Sequence, residues 1–290
     1  MRFTKMQGAG NDYVYVDGIH EVVENPSSLA RAVSDRHFGI GSDGLVLILP
    51  GDGVHDFEMR MFNADGSEAE MCGNASRCVA KYVHDRGLTK RTDLLLKTGA
   101  GTIRTHLETE GGFTTRVRVD MGIPKLQPKE IPTVLPAHGM WLTRAEDGKP
   151  AVIGAPLDAG GPIFEVTCVN MGNPHCVTFV PDVINLDVEK WGPRFELHPA
   201  FPKKVNTEFA EILDRSHIRM RVWERGAGET MACGTGACAT LVAAVMNGLT
   251  ERETVLRLNG GDLLIHWDEK TDHVLMTGPA EFVFDGEWNH

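Results

Sequence analysis

A chain of 290 residues with a formal net charge of −11 is long enough for two domains, each with a core of its own. Its 42% hydrophobic and 24% charged residues exclude disordered and fibrous classes. The negative charge repels nucleic acid and anionic membrane surfaces, and no basic run or aromatic platform offsets it, so neither is expected as a partner. Near the start, polar residues stand where a signal peptide needs an apolar stretch. The most apolar run, residues 236–246, is too short to cross a bilayer. The expected location is the cytoplasm, so the six cysteines read as reduced thiols. They form no C-x-x-C pair, and no His cluster has zinc-ligand spacing, so no metal site is expected.

In chain order, residues 13–16 and 45–49 predict strands, with a helix-like segment over 29–36 between them. Gly39, Gly41 and Gly44 satisfy G-x-G-x-x-G, but a helix precedes them and a strand follows. That is the reverse of a dinucleotide site, so NAD is not expected. Residues 57–62 alternate as a strand, and a polar loop over 63–70 leads to Cys72. Ala75, Cys78, Val79, Tyr82 and Val83 form one apolar face of a helix over 74–86, which Gly87 stops. A hairpin through Gly99-Ala100-Gly101 and a strand at 116–120 follow. The proline-bearing stretch 123–136 predicts a domain boundary, and residues 143–162 read as a surface excursion without chemistry. Strands at 176–180, 208–213 and 217–223 precede a second helix, 235–247. That helix is apolar nearly all round, so it should be enclosed by sheet; Gly248 ends it. A hairpin at Gly260-Gly261 and a strand at 281–284 complete the order.

The chain also repeats itself. The offset of 161 residues between Cys72 and Cys233 holds without a gap over residues 59–101. Met59-Arg60 lies on Met220-Arg221, Glu68 on Glu229, and Cys72-Gly73 on Cys233-Gly234. Gly87-Leu88-Thr89 lies on Gly248-Leu249-Thr250, and Gly99 on Gly260. Two pseudo-symmetric halves are expected, each a mixed, mostly antiparallel sheet wrapped around a central helix: an α+β class, not a doubly wound parallel one.

Both cysteines stand immediately before a helix. The free N–H groups and positive dipole end there should lower a thiol pKa and cradle a carboxylate. Gly73 and Gly234 let an anion approach the backbone. Were both helix starts to meet, one carboxylate-sized site would be flanked by two thiols. That fits inversion at an amino-acid α-carbon. The proton leaves one face and another returns to the opposite face, which takes two residues, one thiolate and one thiol.

At these residues the chain resembles diaminopimelate epimerase. The resemblance runs through residues 6–12 (MQGAGND), 62–67 (FNADGS), 70–74 (EMCGN), 171–176 (MGNPHC) and 205–209 (VNTEF). It continues in 224–230 (ERGAGET), 232–239 (ACGTGACA) and 276–280 (MTGPA). It implies interconversion of LL- and meso-2,6-diaminopimelate, without pyridoxal phosphate or metal, in lysine and cell-wall precursor synthesis. It implies a first half of residues 1–122 plus 276–290 carrying Cys72, and a second of 123–275 carrying Cys233, with the C-terminal strand returning to the first. Cys72 and Cys233 would be the base and acid. The backbones of Gly73, Asn74, Gly234 and Thr235, with Asn11, would hold the reacting end. Asn63, Asn173, Asn206, Glu224 and Arg225 would hold the distal amino-acid end, since Arg can fork a carboxylate and Glu can take an ammonium. Many members carry glutamine where this chain has Gly44.

His175 reads either as support for a cysteine or substrate, or as a satisfied structural histidine. Asp12 and Asp65 read as loop-shaping residues. A proline or hydroxyproline racemase is the nearest rival, but it would show histidine in place of Asn74 and would lack Glu224-Arg225. A thiol redox sensor would need no Asn/Glu/Arg ring, and a non-catalytic binding module leaves the matched thiols unexplained. The oligomeric state is open, a homodimer included.

Overall fold

The computed structural model describes residues 1–141 and 148–289, in two units: Met1–Asp120 with Thr277–His290, and Met121–Met276. In the first, β1 (Arg2–Gly8) and β2 (Asn11–Asp17) form a hairpin. Helix α1 (Pro26–Ser34) follows, capped by Asn25, whose side-chain oxygen accepts from Ser28 N at 3.1 Å. Then come β3 (Gly44–Pro50), β4 (Phe57–Asn63), β5 (Glu68–Ala69) and α2 (Gly73–Asp85). Strands β6 (Asp93–Thr98), β7 (Gly101–Glu110) and β8 (Phe113–Asp120) close the unit's N-terminal part. The C-terminal strand Glu281–Glu287 pairs with β1, so the sheet runs from it through β1, β2, β3, β4, β6 and β7 to β8. The β2–β3 and β4–β6 pairs are parallel and the rest antiparallel.

Helix α2 touches β1 and β2 towards one end of this order and β7 and β8 at the other, so the sheet curls around it. Cys78, Val79 and Val83 on its predicted apolar face are fully buried. Helix α1 sets Ala30 and Val33 against Leu45, Leu47 and Phe62. Gly87 takes φ +77°, as the stop after a helix requires.

The C-terminal end of α2 is tied to β8 by one carboxylate. Asp85 accepts from Lys81 Nζ (2.7 Å), Thr114 N (2.9 Å) and Thr114 Oγ1 (2.7 Å), and meets His84 Nδ1 at 2.9 Å. Burial alone would raise the Asp85 carboxyl, but the His84, Lys81 and Thr114 hydrogen bonds reverse this and hold it below the ordinary carboxylate range. A depressed native pKa stabilises the fold above the unfolded value, near 4, and that stability is lost as pH falls through the native value. Asp85→Asn should therefore cost about 1–3 kcal/mol at neutral pH, with the cost shrinking in acid. Urea unfolding of both chains at neutral and acidic pH checks this; an equal difference at both would refute it.

In the second unit, β9 (Met140–Trp141) pairs with β10 (Lys149–Pro150). The main sheet holds β11 (Ala155–Asp158), β12 (Ile163–Asn170), β13 (Pro174–Phe179), β14 (Asn206–Asp214) and β15 (His217–Glu224), with α3 (Val188–Glu196) before β14. A short β16 (Gly228–Thr230) leads into α4 (Gly234–Met246), then β17 (Glu253–Leu258) and β18 (Gly261–Trp267); β19 (Val274–Gly278) carries the chain across the unit boundary at Met276, and Glu281–Glu287 is β20. The pairing order is β11–β12–β13–β14–β15–β17–β18, with β13–β14 and β15–β17 parallel. Helix α4 touches β12, β13, β14, β17 and β18, the enclosure its all-apolar surface predicts.

The two topologies repeat element for element, from β1–β2–α1–β3–β4–β5–α2–β6–β7 to β12–β13–α3–β14–β15–β16–α4–β17–β18. The parallel registers match as well: Tyr13 pairs with Gly44 and His175 with Asn206, an offset of 162 in both. Pairing across the next strand equates Val46↔Met61 with Glu208↔Val222. The class is α+β, with four α-helices among the described residues, none long and apolar enough to cross a membrane.

Some elements escape the sequence pattern. Strand β1 is buried almost continuously rather than alternating, as are residues 166–169 within β12, and Lys5 hides inside β1 because Asp12 pairs with it. Helix α3 carries Gly192 and Pro193, which read as breakers. It stands because Asp187 accepts from Lys190 N at 3.0 Å, and because the Trp223 ring lies where a Gly192 Cβ would be, 2.3 Å away. The reading of 143–162 as a surface excursion is corrected: residues 143–147 lie outside the described residues, but Val152, Ala155, Leu157 and Ala159 are buried in the second unit's core, and β11 is part of its sheet.

Candidate active site

Cys72 is the N-cap of α2, in extended conformation (φ −143°, ψ 123°), and its side chain makes no capping bond. The first N–H groups of the helix, those of Gly73 and Asn74 among them, have no partner within it. Cys72 is half-buried, with Sγ 3.5 Å from Asn11 Oδ1; Asn74 Nδ2 lies 3.5 Å from the same oxygen. The Asn11 amide is oriented from behind: its Nδ2 donates to Asp43 Oδ2 at 2.8 Å, and Asp43 also accepts from Asp12 N at 3.0 Å. Arg36 bridges Asp12 (2.8 Å) and Asp43 (3.0 Å), and Lys5 Nζ sits 2.5 Å from Asp12. Although burial pushes the other way, Arg36 and Lys5 hold the Asp12 carboxyl below its ordinary value. Asp12 is thus more than a loop-shaper, and Lys5, Arg36 and Asp43 are supporting residues that the sequence reading did not name. Only Lys5, a cation in a strand followed by an acid in the next, left a trace in the sequence.

Asn63 ends β4 opposite Gly44 and is held within its own loop, Nδ2 donating to Ser67 Oγ at 3.0 Å. The glycine at 44 is required where it stands. A Cβ there would lie 2.0 Å from Phe62 O and 2.8 Å from the Tyr13 ring, so a glutamine cannot enter without moving β4.

Cys233 repeats the N-cap arrangement on α4 (φ −123°, ψ 110°), with Sγ 3.4 Å from Thr235 Oγ1. Its surroundings differ. It is 6% exposed, and behind it lie Glu208 and His175, both wholly buried. Glu208 Oε1 is 2.7 Å from His175 Nδ1, and His175 Nε2 is 2.9 Å from Asn173 Oδ1. His175, left open by the sequence, is thus fully partnered and joins Asn173 to Glu208. A Cβ on Gly236 would lie 2.6 Å from Glu208 Oε1 and 3.3 Å from Cys233 Sγ. The lowered thiol pKa expected from the helix end is not found at Cys233. Burial first, then the Glu224 and Glu208 charges, push this thiol well up, and the Thr235 and Gly236 hydrogen bonds recover only part.

Asn206, buried at the start of β14, binds Pro174 O through Nδ2 (3.0 Å) and accepts from Arg225 N (2.9 Å). It thereby sets the backbone from which Arg225 reaches out. The guanidinium is exposed, with Nη1 3.2 Å from Lys203 O. Glu224 accepts from Thr230 Oγ1 at 2.5 Å. Of the expected residues, Asn11, Cys72, Gly73 and Asn74 gather in the first unit. Asn173, His175, Asn206, Arg225, Cys233, Gly234 and Thr235 gather in the second, with Glu224 near enough to bear on the Cys233 thiol. Among the described residues no group of three or more His, Cys, Asp or Glu side chains could hold a metal ion.

The family model described as diaminopimelate epimerase matches residues 3–127 and 167–283. A diaminopimelate epimerase of Acetivibrio thermocellus is 55% identical over 99% of this chain and 98% of its own length. One from Desulfovibrio desulfuricans is 53% identical over the same shares. Among solved structures, a PhzF-family phenazine biosynthesis protein of Bacillus anthracis superposes with a TM-score of 0.69 at 15% identity, covering 100% of this chain and 99% of that one. A hydroxyproline epimerase of Agrobacterium vitis gives 0.65 at 14%, covering 99% and 90%. At such identities these two show the fold alone.

Proposed function

The chain belongs to the diaminopimelate epimerase family, and from that membership we propose that it interconverts LL- and meso-2,6-diaminopimelate by proton transfer between its α-carbon and two cysteines. One cysteine, as thiolate, removes the α-proton, and the other, as thiol, returns a proton to the opposite face. The carbanion-like charge spreads into the α-carboxylate, where N–H groups at the starts of α2 and α4 (Gly73, Asn74, Gly234, Thr235) would stabilise it. Asn11, its orientation set by Asp43, would complete the reacting end.

Arg225 would fork the distal carboxylate and Glu224 take the distal ammonium, with Asn63, Asn173 and Asn206 matching the remaining donors and acceptors. The observation that carries the reading is the matched pair: a cysteine at the N-cap of the central helix in each unit, on topologies that repeat strand for strand. The rival proline-type racemases share the fold, but they would show histidine in place of Asn74, and Glu224 and Arg225 suit a substrate with a second charged amino-acid head. The proposal includes a role in lysine and cell-wall precursor synthesis, a cytoplasmic setting and a small charged substrate as partner; whether the chain works as a homodimer is read by sizing it in solution. No pyridoxal phosphate is needed by this chemistry.

The test uses reduced, purified protein with LL-diaminopimelate in deuterated water. NMR should show the meso isomer appearing with deuterium at the inverted carbon, and the signal should vanish after thiol alkylation. Proline and hydroxyproline should remain unchanged. Absence of both inversion and α-deuteration would refute the reading.

A further inference from the structure

The two halves repeat in topology but not in what stands behind their cysteines. By strand register, Glu208 occupies the place of Val46 and His175 that of Tyr13; by the helix offset, Gly236 occupies that of Ala75. In the first unit the thiol therefore faces an amide, Asn11. In the second, a buried carboxylate shares with it the space over the Gly236 Cα, which a side chain would fill. One oxygen of that carboxylate, Oε1, is taken by His175 at 2.7 Å; the other, Oε2, is buried with no hydrogen-bond partner among the described residues. A wholly buried carboxylate with an unpartnered oxygen is costly, so this one calls for an explanation beyond packing.

We propose that Glu208 is a positioning residue that, held by His175, keeps the Cys233 thiol protonated in the resting site, so that Cys72 starts as the base and Cys233 as the acid. This rests on the two-cysteine reading above and deepens it. Turnover that begins at Cys72 moves the substrate proton to the Cys72 sulfur and the Cys233 proton to the substrate carbon. One proton from solvent then restores Cys233 as one leaves Cys72, and no other bond changes. The reverse reaction starts from the minority state in which Cys233 is the thiolate, so the two directions should differ in pH dependence. The titratable groups that bear on Glu208 and Cys233 are His175 on β13, Cys176 beside it, and Glu224 on β15. Burial raises the Glu208 carboxyl, and His175 opposes this by favouring the anion; the Glu224 and Glu208 charges both oppose a thiolate at Cys233. Gly236 is what admits the carboxylate to the sulfur.

Full-length reduced wild type, Glu208→Gln and Gly236→Ala are alkylated with iodoacetamide from about pH 6 to about pH 10, around the ordinary thiol range. Mass spectrometry resolves the Cys72 and Cys233 peptides, and kcat and KM are measured in both directions. In wild type, Cys233 should react with a midpoint above that of Cys72. Removing the charge (Gln) or displacing it from the sulfur (Ala, which adds helix propensity) should lower the Cys233 midpoint by about one unit, and so speed its alkylation about tenfold below the midpoint. The Cys72 midpoint should stay in place. The acid limb of kcat should shift down in the direction that uses Cys233 as base, with KM little changed.

A merely structural Glu208 would lower the melting temperature without moving either midpoint, and that result overturns the proposal. If Glu208→Gln does not fold, Gly236→Ala decides by the same reading. An unmoved midpoint in a chain that still epimerises diaminopimelate sinks the role of Glu208 alone. Wild type that fails to epimerise sinks the functional reading, since the alkylation midpoint is measured without substrate.

Discussion

Replacing either Cys72 or Cys233 with alanine is expected to reduce net epimerisation by on the order of a thousandfold or more, because a positioned acid or base contributes about 10²–10⁴ and inversion needs both. The two single variants should still differ. With one cysteine left, only the isomer whose α-proton faces that sulfur can lose it, and the proton must come back to the same face. Each variant should therefore exchange deuterium into one stereoisomer without inverting it, and the two variants should choose opposite isomers. That pattern also assigns each cysteine to its isomer. A variant that retains inversion at a rate near wild type, or two variants that exchange the same isomer, would contradict a two-face mechanism. Circular dichroism should remain native. Each cysteine is an N-cap without a capping hydrogen bond, so alanine removes no helix-capping contact at either site.

Arg225→Ala should raise KM for diaminopimelate by about ten- to a hundredfold, the value of one or two charge-assisted hydrogen bonds to a carboxylate. The structure supports an effect on binding rather than folding. The guanidinium is exposed and donates to Lys203 O at 3.2 Å, while the backbone N–H is held independently by Asn206. Arg225→Lys should recover part of the loss, since an ammonium matches the charge but not the fork. A normal KM in the alanine variant would remove Arg225 from the site. Loss of stability without a change in KM would do the same.

Divergence within the repeat explains why the site was only partly legible. Motifs carried by consecutive residues, Cys72-Gly73-Asn74 and Cys233-Gly234-Thr235, lie at helix starts in the structure as their spacing predicts. The network behind each cysteine was not visible, because its members are far apart in the chain and meet only through strand pairing. Asp43 reaches Asn11 across the parallel β2–β3 pair, and Glu208 reaches His175 across β13–β14. A sign of Glu208 did exist: an acid on β14 sharing a face with Ala210 and Ile212, where alternation calls for an apolar residue. Without the register it reads as a solvated edge.

Taken alone, the order of residues determined the repeat, the two central helices with their glycine stops, the paired thiols and the family, because these depend on local periodicity and on contiguous motifs. Tertiary structure decided the rest. It put a carboxylate beside one thiol and an amide beside the other, and it raised the Cys233 thiol where the helix end alone would have lowered it. It also drew Val152, Ala155, Leu157 and Ala159 into the core. The physical reason is common to all three: burial and the charges of sequence-distant neighbours outweigh the local backbone field, and strand register determines which neighbours those are.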